Sequence, residues 1–368
     1  MAERFVTVRQ QGLETLRPFY DGEYVNTRMT EIRKSINYIR ENWHLYDHFL
    51  STLETLMGKT VTASSDPDLA ARMTSLLTSR RDWAESVSEV DEDDCFDVIR
   101  VYTSPEGYRH IFSVVNAIFR KDESTKSEEL IRSAVFLVEL LNIDLYNYCL
   151  KYPQHDNFQG VVYRGMGVTK EDLKRFQELF RKPLPQRYIS VPLGLMSSTL
   201  DPKVAERCAA KCLSETEDFE PLIMKIHVIE LKPEYLQFYR EKFPTSVVTG
   251  ICAVNVEEIA CHKEEREVIL RGPFFQVLGL DEGAKIAGRR SHVLEMVMLN
   301  SNRDHVTSVR LGHLEPEARQ LFGNMVAVTR SEYCVNYCRE HELVEDENGY
   351  QAILDEKMAH LKSTMPNA

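Results

Sequence analysis

Three short stretches, in order along the chain, gather residues whose types could do chemistry together. They are Val161-Val162-Tyr163-Arg164-Gly165, Met196-Ser197-Ser198-Thr199-Leu200 and Glu264-Glu265-Arg266-Glu267-Val268-Ile269-Leu270. Each sets polar groups in or beside an apolar, strand-like run, where burial costs free energy unless the group has a partner or a task. Arg164 presents five donors in a fixed fork with a permanent charge, which suits a bidentate grip on phosphate that lysine cannot reproduce. Carboxylates such as Glu265 and Glu267 stabilise positive charge where it develops. An arginine, a hydroxyl cluster and a carboxylate pair together suit a ligand with phosphates and ribose hydroxyls that passes through a positively charged transition state.

Other motifs fail on their own terms. Gly165-x-Gly167 lacks the third glycine and the strand-turn-helix setting of a dinucleotide fingerprint. There is no phosphate loop, no serine nucleophile elbow and no His-Glu-x-x-His. The pairs Cys208/Cys212 and Cys334/Cys338 are four apart, on one face of a helix, but no Cys-x-x-Cys or second pair at zinc spacing accompanies them. They read as ordinary buried thiols, and His262 beside Cys261 and Glu264 does not make a closed site. No metal is expected.

The elements that must position these residues follow from periodicity. Residues 20–90 read as helices, with Ile32, Ile36, Ile39, Trp43, Phe49 and Leu53 among the apolar positions at three- and four-residue steps. Turn residues at Thr62–Asp68 divide this region, and the acidic run Glu89–Asp94 marks a boundary. A turn at Ser104-Pro105-Glu106-Gly107 precedes a helix with Phe112, Asn116 and Arg120 aligned on one face, and an apolar helix spans Leu130–Leu150. Beyond Gly160 strands dominate: 160–166, 188–191, 195–200, 222–231, 247–256, 268–270, 274–278 and 292–299. Alternation such as Met224-Lys225-Ile226-His227-Val228 predicts half-buried antiparallel strands. Asp201-Pro202 caps a helix running to about Leu213, and the tail from Leu314 is helical.

At 368 residues the chain can bury a large core, and one large domain with extensions is expected. With 45 basic against 57 acidic residues and a net charge of −12, it repels phosphate backbones, so nucleic acid is not expected as a partner. Nothing at Met1-Ala2-Glu3-Arg4-Phe5 resembles a signal peptide, and no stretch reads as long and apolar enough to span a bilayer. None of the asparagines begins an Asn-x-Ser/Thr acceptor, and the eight cysteines are scattered. A reduced cytoplasmic setting without membrane attachment is the expectation.

With these residues in place, roughly residues 95–300 resemble the mono-ADP-ribosyltransferases of the R-S-E class, which include vertebrate arginine-specific ecto-transferases and bacterial actin-modifying toxins. Tyr102-Thr103 and the helix bearing Asn116 and Arg120 are similar to the family's first conserved helix, and Tyr163-Arg164-Gly165 to its arginine strand. Ser197-Ser198-Thr199 stands where the family has Ser-Thr-Ser, which keeps all three hydroxyls, and Glu265-Arg266-Glu267 matches its Glu-x-Glu motif. Phe112 stands where the family commonly has tyrosine.

The resemblance implies an α+β fold, a split β-sandwich of two mainly antiparallel sheets, with a helical extension at 1–92, a catalytic domain at 93–304 and a second helical extension at 305–368. It implies NAD as co-substrate, held by Tyr102, Asn116, Arg120, Arg164, Gly165, Ser197, Ser198, Thr199 and Glu267. In this reading Arg164 grips the pyrophosphate, the Gly165 backbone holds the nicotinamide carboxamide and Ser197 orients the glutamate or the ribose. Glu267 accepts the 2′-hydroxyl of the nicotinamide ribose, and Glu265 prepares an arginine acceptor on a target protein. The same residues would also serve an NAD glycohydrolase, and the extensions would suit a catalytically weak interaction scaffold with a transferase fold.

Overall fold

Alternating side chains along residues 160–299 set one face of each strand apart from the other. The structure, a computed structural model, describes residues 22–45, 47–49, 51–52, 96–107, 115, 128–190, 195–211, 219–271, 274–283, 285–286, 289–303 and 306–365. Helices α1 (Gly22–Glu41), α2 (Asp97–Thr103) and α3 (Glu128–Lys151) come first. Then follow β1 (Gly160–Thr169), α4 (Lys170–Leu179), β2 (Tyr188–Ser190), β3 (Leu195–Thr199), α5 (Pro202–Lys211), β4 (Phe219–Ile229) and α6 (Pro233–Lys242). Strands β5 (Val248–Thr249), β6 (Ala253–Asn255), β7 (Glu267–Arg271), β8 (Phe274–Asp281), β9 (Lys285–Ile286), β10 (Arg289–Arg290), β11 (His292–Leu299) and β12 (Asn302–Arg303) lead to helices α7 (Glu315–Glu340) and α8 (Val344–Thr364). The second helical stretch predicted before residue 90, the acidic run and the helix carrying Asn116 and Arg120 lie outside the described residues.

Eight strands form one sheet in the order β2-β8-β11-β4-β1-β3-β7-β6. Only β4 and β11 pair in parallel; every other neighbouring pair is antiparallel. The main strands thus form one sheet where two were expected, nearly divided, beside the two-stranded ribbons β9-β10 and β5-β12. Strands β1 and β3 meet at the single pair Tyr163↔Thr199, whereas β1 and β4 are in register along all of β1. The sheet then curls back on itself. The side chain of Asn300, just past β11, accepts from the Ala253 N–H on edge strand β6 at 2.9 Å and donates to the Ala253 carbonyl at 3.0 Å and the Phe158 carbonyl at 3.1 Å. A buried amide thus covers a strand edge that would otherwise offer unpaired backbone groups.

One apolar cluster takes its members from the same face of both halves: Val162, Leu222, Met224, Met296 and Phe275 from one, Met196, Ala253, Val268 and Leu270 from the other. The opposite face of the short half, at Leu195, Val254 and Ile269, packs on α1, α2 and α3. The opposite face of the long half, at Leu278 and Val297, packs on α7 and α8. By length and composition α3 could cross a membrane, which the sequence reading did not expect, but 72% of its apolar window is buried inside the protein. Its apolar side chains serve the core: Val135, Phe136, Leu137, Val138 and Leu141 are fully buried.

The predicted strand 247–256 is broken in two. β5 pairs with β12 and β6 with β7, so the chain changes partners across Gly250–Cys252. At Gly250 a Cβ would come within 2.1 Å of the Asn157 side-chain amide, so a larger residue there would have to displace that side chain. Cys334 and Cys338 are buried on one face of α7, as expected of structural thiols, and burial pushes them up to about 12 and about 11.

Candidate active site

The seam between β1 and β3 brings the three sequence stretches together. Arg164 lies on β1 opposite Met224 of β4, and its side chain is buried. Its Nη1 donates to the Ser197 carbonyl oxygen on β3 at 2.7 Å. Where the two strands share only one pair, a charged side chain supplies a cross-strand hydrogen bond that the backbone ladder does not.

Strand β3 then passes its hydroxyls to β7. Ser197 Oγ donates to Glu267 Oε1 at 2.6 Å, across 70 positions in the sequence. Ser198 Oγ donates to the Val268 carbonyl at 2.7 Å, and Thr199 Oγ1 donates to the Glu265 carbonyl at 2.5 Å. One hydroxyl touches the carboxylate, while the other two grip the backbone on either side of it. The register Ser197↔Ile269, Ser198↔Val268, Thr199↔Glu267 makes this possible.

Glu265 ends the short 3₁₀ turn Lys263–Glu265, and Arg266 follows in the left-handed region, at φ 46° and ψ 57°. A non-glycine residue there costs about 1 kcal/mol or more and persists only where its surroundings hold it. Leu200 N–H donates to the Arg266 carbonyl at 3.1 Å, and Arg266 Nε lies 3.6 Å from Glu257 Oε2. The kink lets Glu265, outside the strand, and Glu267, its first residue, line the same pocket, both buried.

Helix α5 forms the opposite wall. Asp201 Oδ1 accepts from the Lys203 N–H at 2.9 Å, and Pro202 begins the helix, as the sequence predicts. The helix packs directly on β1 at Gly165, where a Cβ would lie 1.8 Å from the Ala205 carbonyl oxygen. Between these walls opens a small pocket lined by Tyr163, Arg164, Gly165, Ser197, Ser198, Thr199, Glu265 and Glu267, with Val204, Ala205 and Cys208 from α5. One cation and two carboxylates face one another in it.

Seven of the residues proposed from sequence thus converge: Arg164, Gly165, Ser197, Ser198, Thr199, Glu265 and Glu267. Tyr102 is elsewhere, fully buried in the helical core cluster. Its neighbour Thr103 reaches the site's loop, accepting from the Cys261 N–H at 3.1 Å. Asn116 and Arg120 lie outside the described residues. No site role was expected for Tyr163, Val204, Ala205 or Cys208; Tyr163 stood only as part of the arginine-strand motif, and Cys208, read as an ordinary buried thiol, is instead half-buried and lines the pocket. Their signal was present as a neighbour of Arg164 and as one turn of the helix that Asp201-Pro202 begins.

A half-buried carboxylate stands on the long half of the sheet. Glu295 Oε1 lies 2.5 Å from Lys225 Nζ and 2.7 Å from His227 Nε2, and Tyr337 Oη on α7 donates to Oε2 at 3.0 Å. Burial acts to raise this carboxyl, but the hydrogen bonds from His227, Lys225 and Tyr337 win and hold it at about 2.

No protein-family model matches the chain, and no curated protein matches it. Among solved structures it is similar to the Vis toxin, an ADP-ribosyltransferase from Vibrio splendidus, at 10% identity and a TM-score of 0.34, over 62% of this chain and 85% of that one. It is also similar to the ADP-ribosyltransferase HopU1 of Pseudomonas syringae pv. Tomato DC3000, at 11% identity and a TM-score of 0.35, over 68% of this chain and 97% of that one. A third is Plx2a, an ADP-ribosyltransferase toxin from Paenibacillus larvae, at 14% identity and a TM-score of 0.33, over 60% of this chain and 92% of that one. At these scores the likeness is distant.

Proposed function

We propose that this protein is an NAD-dependent mono-ADP-ribosyltransferase that moves ADP-ribose to arginine side chains of a target protein and releases nicotinamide. The observation that carries the reading is the 2.6 Å hydrogen bond from Ser197 to Glu267 in a pocket that Arg164 and Glu265 also line. Loss of nicotinamide leaves positive charge on the ribose. A carboxylate oriented in advance by a hydroxyl stabilises that charge without reorganising when it appears. Arg164 holds the pyrophosphate, and the Gly165 backbone holds the carboxamide. Glu265 receives the incoming guanidinium, a charge-assisted contact. The catalytic unit is residues 93–304, with 1–92 and 305–368 as helical extensions that bear on target choice.

The test is to incubate the full chain with labelled NAD and a cell lysate, then to locate modified residues by mass spectrometry. ADP-ribose on arginine is expected. In Glu265→Gln, transfer to arginine collapses while slow release of nicotinamide persists, because Glu267 still faces the ribosyl cation. Modification on another residue type, or full arginine transfer by Glu265→Gln, removes the acceptor assignment. Nicotinamide release with no modified protein makes the enzyme a glycohydrolase.

A further inference from the structure

A second group of ligand-type side chains lies outside the pocket, where the turn after α3 meets the turn after β6. His155 closes the 3₁₀ turn Pro153–His155, and its ring stacks on Tyr148 at 5.7 Å between centroids. The residue is 6% exposed, and its Nε2 has no hydrogen-bond partner among the described residues. An orphaned imidazole nitrogen at that depth loses water without gaining a bond, so it stands out as a group awaiting a partner. Glu257 and Glu258 face it. Donor atoms of the three residues all lie within 4.8 Å of one another, with Glu258 Oε1 3.7 Å from His155 Nε2.

The two glutamates are consecutive, held in a turn where Asn255 Oδ1 accepts from the Glu257 N–H at 3.0 Å and the Val256 carbonyl accepts from the Ala260 N–H at 2.9 Å. Their side chains are 32% and 47% exposed, so a cation reaches them from solvent while the imidazole forms the floor. Two adjacent carboxylates repel each other. Arg266 lies 3.6 Å from Glu257 and offsets part of that charge, and a dication would offset the rest.

We propose that His155, Glu257 and Glu258 form a binding site for a divalent transition-metal ion. One imidazole with two carboxylates is a borderline ligand set that suits zinc or cobalt, with water completing the coordination. The site does not share ligands with the pocket and does not depend on the proposed transfer reaction. It touches that region through Glu257, which also pairs with Arg266, the residue between Glu265 and Glu267.

Cobalt(II) titrated into the full chain is the probe, read by calorimetry and by absorption, with zinc as competitor. One equivalent should bind, with nitrogen and oxygen ligand bands and without thiolate-to-metal charge transfer. Glu258→Gln alters a half-exposed side chain and should weaken binding about tenfold or more, as should His155→Gln. Circular dichroism identifies any variant that fails to fold, in which case Glu258→Gln and Glu257→Gln decide the matter. No saturable binding, unchanged affinity in the folded variants, or a thiolate charge-transfer band would overturn the assignment.

Discussion

Two carboxylates on one sheet, the buried Glu267 on β7 and the half-buried Glu295 on β11, have opposite surroundings. Glu295 is closed in: a lysine and a histidine flank one oxygen, and a tyrosine from α7 caps the other. Its charge is neutralised by a cation within contact distance, and a helix covers it. Glu267 instead receives a serine hydroxyl and lines a pocket beside a second carboxylate, Glu265. Both show the sequence pattern of a polar residue in an apolar strand. The difference teaches that burial of a charge marks a candidate, while the access left beside it separates a working group from a brace.

The largest effect should come from exchanging the two carboxylates for amides. Glu267→Gln is expected to lower nicotinamide release and ADP-ribose transfer together by about 10²–10³, the cost of removing one preorganised electrostatic group. Glu295→Gln should leave both rates near wild type. A Glu295 variant that loses activity while its melting temperature is unchanged would erase the distinction between the two sites.

Arg164→Lys sharpens the comparison from the cation side. Replacing the fork with a point charge removes the cross-seam bond to Ser197 and the bidentate grip, worth roughly 1.5–3 kcal/mol. Calorimetry should show NAD binding weakened by about ten- to hundredfold. Equal affinity for the two proteins would take Arg164 out of the site.

Acid titration addresses the closed site. Glu295 is held at about 2 against an ordinary 4.5, so its contribution is fully present above pH 4.5 and is lost as the pH falls through 2. Stability measured by denaturant should therefore drop across that window in the wild type, by an amount on the order of 2–3 kcal/mol from this group. In Glu295→Gln that part of the slope should vanish. An unchanged slope would mean that Lys225, His227 and Tyr337 do not favour the ionised form.

Ser198→Ala should have the smallest effect. It removes one hydrogen bond to the Val268 carbonyl and leaves Ser197 on Glu267, so a loss of about 0.5–1.5 kcal/mol in stability is expected. Activity should fall only slightly, as measured by nicotinamide release. A collapse in rate comparable to that of Glu267→Gln would show that Ser198 acts on the reacting groups directly.

Much of the architecture was legible because local patterns agreed with it. Strands β1, β3, β8 and β11 and helix α3 lie where periodicity placed them, and Asp201-Pro202 starts α5 as capping chemistry requires. Where the local pattern misled, a partner change was the cause. Residues 247–256 read as one β run, yet their two ends pair in different sheets. The two-sheet expectation missed in a similar way, since a single pair at Tyr163↔Thr199 joins what would otherwise be separate halves.

The sequence by itself determined which residues could do chemistry: a strand arginine, three consecutive hydroxyls and a Glu-x-Glu before an apolar strand. These are short-range properties, set by side-chain type and by period-two or period-3.6 spacing. Only the tertiary structure decided that Ser197 meets Glu267, that Arg164 reaches the Ser197 carbonyl and that α5 presses against Gly165. It alone set His155 beside Glu257 and Glu258, about a hundred positions away. Such meetings depend on strand register and on the curl of the sheet, which arise from packing across the whole core, so residues far apart in the chain carry no local mark of them.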